Sequence, residues 1–254
     1  MTFKFDMFRS VTMGAFKSIA EFQEMVEAQM QEVKHLDRSR IIDEFKAVEP
    51  DDPNEVGMIL AERDTELAIL DRKFAVTYPR LCRYSFLTTL FMHVEINLKS
   101  VCDEIAKRNK LKYRVSEFQG KTVLERAKVF LNKEASLPSI LSSAWEPLSH
   151  LQKIRDCIVH TGGRVADSRD KHEIEHLIKL NLGLSITPPM FPDLAEDDFF
   201  VDADDGLLQI EPVFCAATLE QVKSLFTEIF ESSGCFGPED GVWVEDDQPN
   251  SSSK

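Results

Sequence analysis

Apolar residues recur at three- and four-residue steps over most of this chain, the spacing that lines one face of an α-helix. From Met13 to about Ala47, Phe16, Ile19, Met25, Val26, Met30, Val33 and Leu36 lie among many Glu and Gln, which predicts one or two helices. Glu49-Pro50-Asp51-Asp52-Pro53-Asn54 is a turn signal, because proline restricts its predecessor and Asp or Asn caps the next helix. A second helical stretch runs from Glu55 to about Val76, and Tyr78-Pro79 is expected to interrupt or kink it. The strongest helix is predicted over Arg80 to Lys107, where Leu87, Leu90, Phe91, Val94, Leu98, Val101, Cys102 and Ile105 form one broad stripe.

Gly120 introduces a further helix from Lys121 to about Asn132, which Leu137-Pro138 ends. Ser142-Ser143 then offers an N-cap, and Pro147 falls in the first turn or so of the next helix, where a missing N–H costs little. In that helix Trp145, Leu148, Leu151, Ile154 and Ile158 share a face, and Gly162-Gly163 stops it. Ser168 to about Leu182 reads as helical, and Leu184 to Phe191 as an extended connection. Phe199-Phe200-Val201, an Asp-rich turn ending at Gly206, and Leu207 to Ile210 read as a β-hairpin. Thr218 to Phe230 is the closing helix, with Thr218 as its cap. The expected fold is mainly α: an antiparallel helical bundle with an N-terminal helical arm over 1–50, a helical domain over 51–232 that includes the hairpin near 199–210, and an acidic flexible tail over 233–254. Val242-Trp243-Val244 is the part of that tail able to dock.

Composition refines this picture at three points. The N-terminal MTFKFDMFRS interrupts its apolar residues with charges, unlike a signal peptide, and no run approaches a membrane span. Five cysteines without a CxxC pair argue against a disulfide framework or a zinc–thiolate site, which fits a reducing cytoplasm. The net charge of −14 is confined to one end: 16 carboxylates and two lysines lie from Asp193 onward, and the residues before it are neutral in sum. Two local cationic candidates remain. One is Arg155 with Arg164; the other is KRNKLKYR from Lys107 to Arg114, which reads as a solvated inter-helix loop whose Tyr113 could stack on a base.

Chemistry concentrates in KIRDCIVHTGG, Lys153 to Gly163. Arg155 and His160 lie about 140° apart on an ideal helix, whereas Asp156 and His160 stack at i,i+4. A carboxylate so placed can accept the imidazole N–H, fix its tautomer and raise its pKa, leaving the other nitrogen for proton transfer. The Arg155 fork of donors suits phosphate oxygens.

This Arg-polar-x-x-x-His pattern at the end of an apolar-faced helix, with Thr-Gly-Gly directly after it, resembles the motif of the HEPN superfamily, many of whose members are metal-independent endoribonucleases. The resemblance implies a HEPN-like bundle over roughly Pro79 to Gly163 and a homodimer whose motif helices face each other across one composite site. It makes His160 the acid/base, Arg155 the phosphate and transition-state binder, and Asp156 the polar residue after the arginine. Arg164 and Lys153 are the further candidates for contacting RNA. Glu95 either pairs with Arg155 across the bundle as support or is solvated at the edge of its stripe. No metal or cofactor is expected. At family level the resemblance associates such proteins with toxins or phage defence, and so with an inhibitor or antitoxin as partner.

The alternative is a non-catalytic HEPN-like module, in which the same residues cap the helix end and complement its dipole while the dimer binds a partner or nucleotide. Two patterns are set aside. His172-Glu173-Ile174-Glu175-His176 matches the zinc-peptidase HExxH, with Glu196 as an imaginable third ligand, but it lies on a charged surface helix. The Asp202 to Asp205 cluster lacks the spacing of a calcium loop. His93 reads as a satisfied helix histidine, and Asn97 as a polar group needing a partner if it reaches the core.

Overall fold

The computed structural model describes residues 2–48, 52–137, 145–188 and 206–244. They form a mainly α fold with short antiparallel strand pairs and a C-terminal helix, as the apolar periodicity requires. The elements in chain order are β1 (Thr2–Lys4), α1 (Met7–Lys46), α2 (Pro53–Arg72), α3 (Tyr78–Arg108), α4 (Val123–Lys133), α5 (Trp145–Thr161), α6 (Lys171–Lys179), β2 (Leu184–Ile186), β3 (Leu208–Ile210), α7 (Pro212–Ser233) and β4 (Val242–Val244). No helix among the described residues is long and apolar enough to cross a membrane.

Proline placement explains two boundaries. Between α2 and α3 the chain does not break at Tyr78-Pro79; instead the ladder widens over Lys73–Thr77 to a π turn, and the Tyr78 N–H bonds the Lys73 carbonyl. Pro79 follows directly, and the widened turn before it accommodates the ring and the missing N–H, which an unbroken i→i−4 ladder would not. The closing helix begins at Pro212, not at Thr218. Proline pre-sets the helical φ, the Phe214 N–H bonds the Glu211 carbonyl at 3.0 Å, and Thr218 is an interior, buried position.

The chain divides into two compact units. The first comprises Met1–Ser18, Leu90–Ser149 and Thr218–Lys254. Its core joins Phe16 to Phe226 (ring centroids 4.9 Å apart), Phe118 to Phe130 (5.8 Å) and Phe230 to Phe236 (4.8 Å). Val242–Val244 does dock: as β4 it pairs antiparallel with β1, with Phe3 opposite Trp243. Asp6 fastens the same corner. Its carboxylate caps α1 by accepting the Phe8 and Arg9 N–H groups (3.0 and 3.1 Å) and also accepts from Gly237 N–H (3.1 Å) and the Arg108 guanidinium. Burial pushes the Asp6 pKa up, but Arg108 and these N–H groups together outweigh it and hold the carboxyl below its ordinary value. His93 is half-buried in this unit, and Asn97 Nδ2 is buried without a hydrogen bond.

The second unit comprises Ile19–Thr89 and His150–Ala217. In its α1–α2 arm, Ile41, Leu70 and Phe74 pack together with Met30, Phe45 and Leu67 against them. Lys34 and Arg38 both reach Asp71, at 2.9 and 3.1 Å. The unit also contains β3, whose described partner is β2, the stretch expected to be a plain connection; Leu184 lies opposite Ile210. The first arm of the expected hairpin, 199–201, lies outside the described residues, as do the Asp202 to Asp205 cluster, Glu196 and the Ser142-Ser143 cap.

Candidate functional site

The motif residues lie on the last turns of α5 and just beyond it. The helix buries Leu148, Leu151, Ile154 and Cys157; the stripe ends on Cys157, and Ile158 is only half-buried. Each of the leucines and the isoleucine contributes about 1.5–3 kcal/mol by leaving water, so this face fixes which residues remain outward.

Termination is specified by the two glycines. Gly162 and Gly163 take φ values of +65° and +92°, a left-handed region closed to most side chains. The Gly163 N–H reaches back to the Cys157 carbonyl (3.2 Å), and the Thr161 hydroxyl lies 2.8 Å from that carbonyl and 2.9 Å from the Arg164 carbonyl. The chain beyond the helix is then bound to β3: the Leu208 N–H donates to the Gly163 carbonyl (2.8 Å), and Arg164 bridges Leu207.

Two residues of α3 fix β3 in turn. Tyr84 donates its hydroxyl hydrogen to the Leu208 carbonyl at 2.6 Å, and Arg83 donates to the Ile210 carbonyl at 2.8 Å. Arg83 is itself buried and paired with Glu27 at 3.1 Å. The turn carrying the motif is therefore held from both sides by main-chain bonds and by a phenol. Sequence reasoning missed Arg83 and Tyr84, because nothing local marks a tyrosine as the partner of a carbonyl 124 residues away.

Asp156 departs from its expected pairing. Its Oδ1 accepts from Arg155 at 2.8 Å and its Oδ2 from Arg169 at 3.2 Å, so the carboxylate serves two guanidiniums rather than the imidazole stacked above it. Arg155 and Asp156 form one charge-assisted pair with about a third of the Arg155 side chain exposed. Arg169, which no motif singled out, is a third member of the group and also lies 3.4 Å from Asp170.

His160 is exposed and makes no hydrogen bond or ion pair with any described residue. Val159 beside it is also exposed, an apolar patch next to a polar helix end. Of the two expected RNA contacts, Lys153 lies 3.5 Å from Glu173, whose carboxyl is held below its ordinary value by its own backbone N–H and by the Lys153 charge. Arg164 is half-exposed, 3.6 Å from Asp167. Glu95 belongs to the other unit, on α3, and its pairing with Arg155 stays an expectation.

In the HExxH pattern on α6, Glu173 faces Lys153, and the His172 side chain is 93% exposed with Glu175 at 3.7 Å. Among the described residues, no cluster of three or more His, Cys, Asp or Glu side chains is placed to hold a metal ion. Comparison with family models, with curated proteins and with solved structures finds no match to this chain.

Proposed function

We propose that the chain is a metal-independent endoribonuclease of HEPN type, acting through Arg155 and His160 paired with the same residues of a second copy. RNA carries its own nucleophile. A base removes the 2′-hydroxyl proton, the 2′ oxygen attacks phosphorus, the 5′ oxygen departs with a proton from an acid, and the products are a 2′,3′-cyclic phosphate and a 5′-hydroxyl. One accessible imidazole supplies the base or the acid but not both at once, which is the chemical reason for two protomers. General acid–base groups contribute on the order of 10²–10⁴-fold, and a fixed guanidinium on the pentacoordinate phosphate stabilises the charge that develops.

The observation that carries this reading is the pairing of opposites at the α5 terminus: a guanidinium oriented by Asp156, one turn before an exposed imidazole that nothing in the described fold engages. Asp156 accordingly has a positioning role for Arg155, with Arg169 balancing its charge. Arg164 and Lys153 are the proposed RNA contacts, and exposed Val159 suits a surface covered by the partner protomer. Any link to toxins, defence or a protein inhibitor comes from the family resemblance alone.

The test is incubation of purified wild-type, Arg155→Ala and His160→Ala protein with mixed RNA in EDTA. Cleavage by the wild type only is expected; equal cleavage by His160→Ala would falsify the assignment.

One observation favours a second reading, a non-catalytic HEPN-like module. The Asp156 carboxylate already pairs with both Arg155 and Arg169, and this charge network needs no substrate to exist. In that case Arg155→Ala lowers Tm while no RNA is cut.

A further inference from the structure

A concentration of positive charge separate in sequence from the α5 motif runs from the end of α3 to the end of α4. From Lys107 to Lys133 there are nine Lys and Arg against two carboxylates, in a chain whose net charge is −14. Two of the nine are engaged: Lys107 with Glu104, and Arg108 with Asp6 and Glu104. The other seven have no carboxylate partner among the described residues.

The reason is local. The acids that could neutralise them are spent on backbone amides. Glu117 accepts the Arg114 N–H (2.6 Å), Glu125 accepts the Lys121 N–H (2.5 Å), and Glu134, at the end of α4, accepts those of Lys112 and Tyr113 (3.1 and 3.3 Å). These bonds fold the loop back along α4 and leave its cationic side chains outward. Arg126 and Lys133, seven residues apart, share one face of α4.

Two further features point to a ligand. Tyr113 is 40% exposed, its ring held edge-on against Phe118 at 6.3 Å with the Lys112 ammonium 4.8 Å from its centroid. Lys110 ends α3 in the left-handed conformation, φ +53°, inside a double hydrogen bond from Lys110 N–H to Lys107 and from Leu111 N–H to Ala106. That is the C′ position of a Schellman turn, where glycine fits without strain. A lysine stands where its backbone is disfavoured, and strain of this kind clusters at functional positions.

We propose that Lys107 to Lys133 is a docking surface for single-stranded nucleic acid, with Tyr113 stacking on a base and Lys110, Lys112, Arg114, Arg126 and Lys133 facing phosphates. Cations along a strand with an interleaved aromatic ring are what such a ligand requires, whereas an acidic peptide has no use for the ring. The inference does not rest on cleavage by His160, and it is tested with oligonucleotides that cannot be cleaved through a 2′-hydroxyl.

The test is fluorescence anisotropy of the full chain with labelled 2′-O-methyl oligouridine and oligothymidine of about 15 nucleotides, with poly-glutamate as the competing polyanion. Both oligonucleotides are expected to bind, more weakly as salt rises. Lys110→Glu/Lys112→Glu/Arg114→Glu should weaken binding at least tenfold and flatten the salt slope. Tyr113→Ala should weaken it about tenfold, and Tyr113→Phe should restore it. Lys110→Gly is the variant that a purely structural loop cannot mimic: it should raise Tm by about 2 °C while lowering affinity. Affinity unchanged by the triple charge reversal overturns the proposal. So does poly-glutamate binding as tightly as the oligonucleotides with no effect of Tyr113→Ala, which would mark an acidic protein partner.

Discussion

Gly163 packs directly beneath Tyr84: a Cβ at Gly163 would stand 2.6 Å from the Tyr84 ring carbon that bears the hydroxyl. The same tyrosine donates to the Leu208 carbonyl, and the Leu208 N–H donates to the Gly163 carbonyl. A glycine, a phenol and one strand residue thus close a ring of contacts behind the proposed catalytic helix end.

Gly163→Ala therefore meets two penalties. Its φ of +92° disfavours any Cβ, and the Tyr84 ring occupies the space. We expect a loss of about 2–4 kcal/mol, combining left-handed strain with overpacking, read as a lower denaturation midpoint with unchanged m-value. Tyr84→Phe, which keeps the ring but leaves the Leu208 carbonyl without its donor, should cost about 1–2 kcal/mol. A Gly163→Ala protein as stable as the wild type would contradict this arrangement.

His160→Ala should separate activity from stability. The side chain is exposed and bonded to no described residue, so its removal is expected to change stability by no more than about 0.5 kcal/mol. Cleavage of RNA should fall by about 10²–10⁴-fold. A parallel fall in Tm would place His160 in the scaffold.

Asp156 is expected to act through Arg155. Asp156→Asn keeps an oxygen acceptor for the guanidinium but loses the charge, whereas Asp156→Ala removes both. The asparagine variant should retain more kcat than the alanine variant, and both should bind RNA at least as tightly as the wild type because a carboxylate has been removed from a cationic site. Equal activity of Asp156→Ala and the wild type would argue that Arg155 needs no orienting group.

Acid stability should depend on Asp6. Its folded pKa is depressed below the unfolded value of about 3.9. The stabilisation is therefore fully present above that value and is lost as pH falls through the lower, folded pKa. Asp6→Asn, which weakens the α1 cap and the Arg108 pair, should lower Tm at pH 7, and the gap between the two proteins should narrow on acidification toward pH 3. A gap that stays constant over that range would show that Asp6 contributes through neutral hydrogen bonds alone.

Much of this architecture is legible in the chain itself. The apolar steps from Leu87 to Ile105 and from Leu148 to Ile154 mark α3 and α5 because helix faces are local in sequence, and Gly162-Gly163 marks the end of α5 because left-handed turns select glycine. What sequence does not reveal is pairing at a distance. Leu184-Ser185-Ile186 is too short and too close to Pro188 to declare itself a strand, and it becomes one only because β3 arrives beside it. Asp156 looks like the partner of His160 because helical stacking is a local rule, but Arg155 and Arg169 bring two positive charges to it, and charge decides. Thr218 resembles a cap until Pro212 and Phe214 extend the same helix toward the N-terminus.

The central claim is that the 2′-hydroxyl of RNA is the nucleophile at a site built on Arg155 and His160. The chemical identity of the fragment ends tests it most directly: wild-type and His160→Ala protein are incubated with RNA in EDTA, and the termini of any products are analysed. Fragments from the wild type alone, ending in 2′,3′-cyclic phosphate and beginning with 5′-hydroxyl, are the expected result. Fragments ending in 3′-hydroxyl and beginning with 5′-phosphate, or the same cleavage by both proteins, would contradict it.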